Sequence, residues 1–367
     1  MKNIVLPRQN GVVGLVALLF TVIVNARAQV PTSMSTADSL KTYALPEIVV
    51  TATRSEKNPD DVGRSISLIS SEQLRNFMYL SVAEALSEQL GLYLVGVGQN
   101  LGANQSIFLR GSASNQTAIF VDDVRLTDPS GVNNALDLSE LSFTGLERIE
   151  IVRGTHSTLY GSSAIGGVVN LISRKNRMPG FHADAELRTG TFGKGTSLFG
   201  QDLLLNYTHA SGLYVNGELL NARVKGLDAT LDTAASPPAL KNRDGDGLQS
   251  FDALGKVGFT GEKLDMYVSL KTHREKKDVD KAAYRDDDNY WLDFKRKLLT
   301  YGASYSLSNH VSLKYVGGYS DMKRVAVDDS SVVDDAGNTD RTYTEAEYRG
   351  ATTTNEIQAI VRLPGFE

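Results

Sequence analysis

The chain has 367 residues, 33 glycines, no cysteine and a formal net charge of −5 at pH 7. Without cysteine there can be no disulfides, no thiolate metal site and no cysteine nucleophile, and the mild negative charge argues against a nucleic-acid partner. After the N-terminus no apolar run approaches the ~20 residues of a membrane helix. The composition therefore fits a soluble β protein or a transmembrane β-barrel.

Residues 1–28 have the features of a secretory signal peptide. Lys2 and Arg8 give a positive start, and the apolar stretch 11–24 is too short to cross a bilayer. Ala26-Arg27-Ala28 is a small-x-small cleavage site. We expect the mature protein to be exported.

Residues 29–57 are predicted to form a linker that carries one short β-branched segment, PEIVVTATR at 46–54. This segment can be the first strand of the next domain. It can also be a strand offered to the open sheet edge of a partner, in which case the backbone supplies the affinity. The polar, Ser- and Thr-rich residues before it favour the second interpretation.

Residues 58–178 are predicted to form a small mixed α/β domain. Ser81 and Glu84 make a capping box, and the helix that follows places Val82, Leu86 and Leu90 on one face and ends at Gly91. The remaining predicted elements are short strands at 65–69, 92–95, 107–111, 118–121 and 124–126, with loops at 96–104 and 128–131.

The stretch 147–174 is an alternating strand, a Gly-rich turn and an apolar strand. Ile149 and Ile151 share one face of the first strand, and the second strand covers 168–172. The glycines resemble a phosphate-binding loop, but no Lys-Ser/Thr follows them and no helix is indicated. A tight turn within a compact domain is the simpler interpretation.

From about Phe181 onward the sequence has a period of two. Leu264, Met266 and Val268 alternate with polar residues, and the same pattern recurs at 299–307 and 311–319. Connections alternate between short ones (209–212, 260–262, 308–310) and long ones (223–247, 273–289, 323–341). Short and long connections in turn are typical of an up-and-down outer-membrane barrel. A soluble β-sandwich does not need that alternation.

Four segments together resemble the TonB-dependent outer-membrane receptors. They are PEIVVTATR at 46–54, IFLRG at 107–111, AIFVDDVRL at 118–126 and ERIEIVRGTHSTLYGSSAIGGVVNLISR at 147–174. The last is a long match with the Arg-Gly, Tyr-Gly and Ala-Ile-Gly-Gly-Val-Val-Asn elements in order. One departure is Asp123, where the family often has glycine, although Asp tolerates such turns.

The resemblance implies a small α/β plug domain followed by an antiparallel transmembrane β-barrel, which has 22 strands in the family. Residues 179–367 hold only about eight strands at roughly 20 residues per strand and loop. We therefore expect this chain to be truncated and to contain the N-terminal part of the barrel.

The resemblance also implies a receptor of the cell outer membrane that imports a scarce nutrient complex when TonB pulls on the N-terminal box. The expected TonB-binding residues are Pro46, Glu47, Ile48, Val49, Val50 and Thr51. Membrane lipid, TonB and the nutrient are the expected partners, with no nucleic acid.

SIFLRGSASNQTAIFVDDVRL resembles the plug of cobalamin receptors most closely, and ferric-siderophore receptors are the alternative. The segments at 225–232 and 242–255 resemble a calcium-binding loop region of cobalamin receptors, with Asp228, Asp244 and Asp246 as ligands. Carboxylate oxygens suit Ca²⁺. The alternative is a solvated acidic loop.

The plug loops are the expected nutrient contacts, if they face outward. The candidate residues are Gly98, Gln99, Asn100, Asp128, Ser130 and Asn133. Glu147, Arg148, Glu150 and Arg153 are expected to pair with the polar wall of the barrel.

Two other classes of function remain open at this point: a passive or adhesive surface barrel, and a periplasmic enzyme. We expect no enzyme, because the five histidines are scattered along the chain and no nucleophile–base pair is evident.

Overall fold

Strands make up most of the described residues in this computed structural model, and they form sheets of five, eight and two strands. The structure describes residues 63, 65–76, 81–97, 103–175, 179–227, 245–279, 290–328 and 343–362. The predicted signal peptide and the segment 46–54 lie outside these residues. Within them, no helix is long and apolar enough to cross a membrane.

The N-terminal part of the described chain is a small domain of short strands and short helices, which we call the plug. Its elements are β1 (Ile66–Ser70), α1 (Ser71–Asn76), α2 (Val82–Ser87), β2 (Leu92–Val95), β3 (Ser106–Leu109), β4 (Thr117–Val121), β5 (Val124–Leu126), β6 (Leu146–Arg153), α3 (Ser157–Tyr160) and β7 (Gly167–Ser173).

The plug is organised by a five-stranded sheet in the order β1-β6-β7-β4-β5. Only the β4–β7 pair is parallel. Strand β6 is buried on both faces, so Ile149 and Ile151 lie in the core while Glu150 is also fully buried. Helix α2 packs Val82 and Leu86 into the same core. The predicted α/β plug is therefore confirmed.

Two details of the plug differ from the sequence-based prediction. Helix α2 ends at Ser87, and Leu90, which we placed on its apolar face, is 87% exposed. The first hydrogen bond of the predicted capping box is present: the Ser81 Oγ accepts from the Glu84 backbone N–H at 3.2 Å. The predicted Gly-rich turn contains the short helix α3, which is too brief to show a helical period.

The C-terminal part forms an eight-stranded antiparallel sheet, which we call the wall. Its strands are β8 (Gly180–Gly190), β9 (Ser197–Thr208), β10 (Leu213–Leu227), β11 (Asp246–Thr260), β12 (Leu264–Asp278), β13 (Trp291–Ser306), β14 (Val311–Asp328) and β15 (Thr344–Val361). Each strand pairs with its neighbour in sequence. The predicted partial barrel of about eight strands is confirmed as a sheet of this number.

The two faces of the wall differ in chemistry because successive side chains of a strand point to opposite faces. On β11 the inward side chains include Asp252 and Lys256, which are buried against the plug, whereas Phe251 and Val257 point outward and are 43% and 50% exposed. Apolar side chains thus face away from the protein, and polar ones face the plug.

The wall strands run further than the sequence suggested. We placed long connections from 223, 273 and 323, but β10, β12 and β14 continue to Leu227, Asp278 and Asp328. The ends of these strands are rich in charged residues, so they lack the alternation of apolar and polar residues that predicts a strand. The charged residues alternate by face all the same: Glu275 and Lys277 are buried, while Arg274 is exposed.

Substitution of Gly167 by alanine is expected to destabilise the fold strongly. Gly167 has φ +152°, and a Cβ there would overlap Leu109 Cδ2 and the carbonyl oxygen of Val152. Gly161 has φ +84° with nothing within 4 Å of an added Cβ, so Gly161→Ala isolates backbone strain alone. We expect a loss of about 1 kcal/mol for Gly161→Ala and more than twice that for Gly167→Ala, measured by thermal unfolding of the full chain in detergent. Equal losses of stability in the two variants would contradict the expected steric overlap at Gly167.

Candidate functional site

The plug rests on the inward face of the wall, and polar contacts join the two at three levels. At the first level lies the turn between β4 and β5, where Asp122 and Asp123 have φ of 49° and 65°. Positive φ at both central residues defines the tight hairpin turn that glycine usually serves. Asp123 is accepted there, as expected, and its carboxylate binds Lys314 Nζ at 2.6 Å and Asn170 Nδ2 at 2.9 Å.

The second level lies midway along the wall and binds plug backbone. Lys271 Nζ donates to the carbonyl oxygens of Ser142 and Thr144 at 3.0 and 2.8 Å. The Glu218 carboxylate accepts from the Gly145 backbone N–H at 2.9 Å. An ammonium and a carboxylate of the wall thus satisfy the backbone groups of one plug turn, which would otherwise be buried without partners.

The third level is a charged cluster in the first half of β13 and near the end of β14. Arg324 Nε donates to Glu140 Oε1 at 2.7 Å, and Arg324 Nη2 donates to Asp128 Oδ2 at 2.9 Å. Arg296 Nη2 lies 3.7 Å from Glu140 Oε2, and its guanidinium lies 5.3 Å from the Phe294 ring. Two wall cations therefore converge on one plug carboxyl.

Burial and hydrogen bonding act in opposite directions on the pKa values of the two carboxyls in this cluster. Burial raises the pKa of Glu140 to about 7, although Arg296 and Arg324 favour the carboxylate. At Asp128 burial also acts to raise the pKa, but hydrogen bonds from Ser130 and the pairing with Arg324 outweigh it, and the pKa is lowered from its ordinary value. The two carboxyls thus differ because Asp128 has more donors around it.

The plug charges that we expected to meet the wall mostly bind within the plug. Arg148 pairs with Glu147 at 2.9 Å and with Glu150 at 2.8 Å, and the Nε of Arg153 donates to the Leu90 carbonyl oxygen at 2.8 Å. That expectation is wrong for the described contacts, because these residues lie on or next to β6 near one another. The wall instead binds the turns at either end of the plug strands.

The wall residues that make these contacts were missed by the sequence analysis. The carboxylate among them is Glu218, and the cations are Lys256, Lys271, Lys277, Arg296, Lys314 and Arg324. A usable signal was present, since each cation occupies the polar position of an alternating strand. A strand that faces water on one side gives the same signal, so the pattern alone could not identify the plug as the partner.

The predicted nutrient contacts are partly outside the described residues. Gly98, Gln99 and Asn100 lie there. Asp128 is buried, and its Oδ1 accepts from the Ser130 backbone N–H at 2.9 Å while its other oxygen binds Arg324. Asn133 is exposed and has φ 57°. The structure thus gives Asp128 and Ser130 a role in shaping their loop, and their contact with a nutrient stays a prediction.

A half-open cavity of about 300 Å³ lies beside this loop, within the plug. Its lining is polar and includes Thr117, Arg125, Asn133, Asn134 and Ser163. Burial lowers the pKa of Arg125, and among the described residues its Nε has no hydrogen-bond partner. The cavity therefore offers a cation and several amide and hydroxyl groups to a ligand.

The predicted calcium and TonB sites are little described. Asp228 and Asp244 lie outside the described residues, and Asp246 is buried at the start of β11. Within the described ranges no group of three or more His, Cys, Asp or Glu side chains could hold a metal ion. Pro46 to Thr51 also lie outside, so both sites stay predictions.

A small α/β domain bound to the polar face of an antiparallel sheet, whose other face is apolar and exposed, is the arrangement of part of a plugged β-barrel. Comparison with known proteins agrees. Residues 58–168 match the family model described as "TonB-dependent Receptor Plug Domain". The plug of this chain is therefore similar to the plug of TonB-dependent receptors over these residues.

Curated relatives are similar over parts of the chain. The vitamin B12 transporter BtuB of Photobacterium profundum is 32% identical over 212 residues, which are 58% of this chain and 32% of that protein. BtuB of Vibrio cholerae is 34% identical over 129 residues, 35% of this chain and 20% of that protein. The chain thus spans a third or less of the length of these relatives.

Solved structures share the fold at low identity. The ferric enterobactin receptor PfeA of Pseudomonas aeruginosa superposes with a TM-score of 0.61 at 17% identity, over 84% of this chain and 48% of that one. The siderophore receptor PiuA of Acinetobacter baumannii gives 0.63 at 15%, over 83% and 43%. These matches establish the fold alone.

The pKa of Glu140 predicts a pH dependence of stability. The folded pKa of about 7 exceeds the ordinary value of 4.5, so the folded state binds this proton more tightly than the unfolded chain does. The contribution of Glu140 is fully present below about pH 4.5 and is lost as pH rises through 7. Relative to the Glu140→Gln variant, the free energy of unfolding of the native protein should fall by about 3 kcal/mol between pH 4.5 and 8. Urea unfolding in detergent measures this difference.

Glu147→Gln is the matched control, because Glu147 carries the same charge in a more exposed position of the plug. It should leave the pH profile of the native protein unchanged. If the stability of the native protein relative to Glu140→Gln rose with pH instead, the prediction would be contradicted. The two arginines would then lower the pKa of Glu140 by more than burial raises it.

Proposed function

We propose that this protein is an outer-membrane receptor that imports a scarce nutrient complex, most specifically cobalamin or a related corrinoid, with energy supplied through TonB. The observation that carries the proposal is the plug fastened to the wall at three levels. A pore filled in this way admits a nutrient only if the plug moves or changes shape, and the buried charge contacts make that movement costly.

The outward face of the wall supports a location in a membrane. Val257, Val268, Leu270 and Tyr319 point away from the plug and are 50, 54, 51 and 44% exposed. Soluble monomers rarely expose a contiguous apolar face of this kind. Alternation of apolar outward and polar inward residues along each strand is the pattern of a barrel in lipid.

The choice of cobalamin rests on sequence similarity. The BtuB relatives are 32 and 34% identical over the matched residues, whereas the siderophore receptors are similar in fold at 17% identity or less in the two examples above. A ferric siderophore is the alternative cargo, and a passive or adhesive barrel is the alternative mode of action.

The nutrient is proposed to contact the plug at the end where Asp128 and Glu140 lie. Asn133 is exposed there, and the cavity beside it is lined by Arg125 and Asn134. Asp228, Asp244 and Asp246 are proposed to bind Ca²⁺ together, because Asp228 follows the last residue of β10, Asp244 precedes β11 and Asp246 is the first residue of β11.

Ligand binding tests the cargo. The full chain in detergent is expected to bind cyanocobalamin at least tenfold more tightly than ferric enterobactin or ferric citrate, measured by titration calorimetry. Added Ca²⁺ should tighten cobalamin binding, because the ion would neutralise the carboxylates that are proposed to bind it. The triple variant Asp228→Asn, Asp244→Asn, Asp246→Asn should abolish the Ca²⁺ effect, whereas Asp184→Asn on the edge strand β8 should not. Preference for a ferric chelate would show that the cargo is a siderophore.

Deletion of residues 48–51 tests energised import. In cells that lack their own cobalamin receptor, the deletion should abolish uptake of radiolabelled cobalamin and leave its binding unchanged, because the strand offered to TonB is lost while the binding loops remain. Deletion of residues 33–36, of equal length in the polar linker, is the control and should transport normally. Uptake that survives the first deletion would favour a passive barrel.

A further inference from the structure

The outward face of the wall carries a row of four basic residues, one on each of four adjacent strands. Arg274 on β12 is directly opposite Lys295 on β13, Lys295 is opposite Lys323 on β14, and Lys323 is opposite Arg349 on β15. Their side chains are 57, 48, 38 and 71% exposed. Residues directly opposite across strands share a face, so the four cations form one line, which we call the basic row.

Like charges directly opposite each other on neighbouring strands destabilise a sheet. Within the described residues, two carboxylates make ion pairs with the basic row. Asp293 lies 3.0 Å from Arg274 and 3.4 Å from Lys295, and Glu347 lies 2.8 Å from Lys323 and also contacts Arg349. Four cations that share two carboxylates retain a net positive charge, which an external anion can neutralise.

Neighbouring rows add further cations to the same face. Lys276, one row from the basic row, lies 4.9 Å from the centroid of the Trp291 ring. Lys297, one row away in the other direction, is exposed and is opposite Asp321. Basic residues with an aromatic side chain among them are typical of a membrane–water interface.

An apolar band begins next to these rows on the same face. Leu270, Leu299 and Tyr319 are opposite one another, and Val268 and Tyr301 follow in the next row. Arg274 lies four positions after Leu270, which is about 14 Å along the strand. The basic row therefore lies just beyond the edge of the surface proposed to contact lipid chains.

We infer that the basic row binds the phosphate groups of an anionic membrane lipid, whose acyl chains lie along the apolar band. This inference rests on the proposed outer-membrane location. Arginine forks fit phosphate oxygens with two parallel hydrogen bonds, and lysines add point charges. A soluble anion would use the cations but not the adjoining apolar surface, so the combination favours a phosphorylated lipid.

The row lies at one end of the wall, which identifies the leaflet. Arg274 is close to the end of β12 at Asp278, where the chain enters a connection much longer than the short turn that precedes Leu264. Long connections of outer-membrane barrels face outward. The lipid is therefore a phosphorylated lipid of the outer leaflet.

The experiment uses the full chain reconstituted in nanodiscs of phosphatidylcholine, with and without a minor fraction of doubly phosphorylated lipid A. After extraction in mild detergent, native mass spectrometry measures the lipid A retained per protein. The variant Arg274→Gln, Lys295→Gln, Lys323→Gln, Arg349→Gln should retain at least about tenfold less, since each basic residue near an anionic surface contributes several-fold.

The matched control replaces four exposed cations elsewhere, as Arg110→Gln, Lys194→Gln, Lys263→Gln, Arg362→Gln, and it should retain lipid A like the native protein. Equal retention by the first variant, equal loss by the control, or equal binding of dephosphorylated lipid A would each overturn the inference. If the fourfold variant does not fold, the pairs Arg274→Gln with Arg349→Gln and Lys295→Gln with Lys323→Gln are tested separately.

Failure of this inference can be distinguished from failure of the proposed function. A native protein that inserts in phosphatidylcholine discs and binds cobalamin, yet retains no lipid A, overturns the basic row alone. A native protein that does not insert in any disc overturns the membrane location and the basic row together.

Discussion

Buried cations of the wall that reach across to plug oxygens are the interaction on which the structure depends. The Lys256 side chain is 1% exposed, and its Nζ lies 2.5 Å from Ser173 Oγ. Lys271 Nζ donates to two plug carbonyl oxygens. Burial of an ammonium without partners is costly. The wall needs the plug to satisfy its inward cations, and the plug needs the wall to satisfy its turns, so neither part would keep this conformation alone.

The same strands must meet two environments, and the period of two makes this possible. On β12 the inward residues His273 and Glu275 are buried with polar partners, and the outward residues Val268 and Leu270 are exposed. A one-residue slip in register would exchange the faces and would place charges outward and apolar groups against the plug. The polar contacts of the inward face and the apolar residues of the outward face thus both oppose a change of register in this sheet.

Fastening and opening make opposite demands on the plug. The contacts of Asp122, Asp123 and Glu140 hold its turns against the wall, whereas the cavity beside Asn133 keeps polar groups available to a ligand. The proposed mechanism, driven from the N-terminus, suits this division, because work applied there would release the plug without altering the cavity that is proposed to recognise the nutrient.

The sequence by itself determined the α/β character of the plug and the period of the wall strands, because these depend on local spacing, and it contained the plug segments that resemble the family. It also marked Asp123 as a tolerated residue in a tight turn. Only the tertiary structure decided which charges pair. Arg148 and Glu150 bind within the plug, while Glu140 binds Arg324, 184 residues away. Alternation gives the face of each strand, but the register between strands and the approach of the plug decide what that face meets.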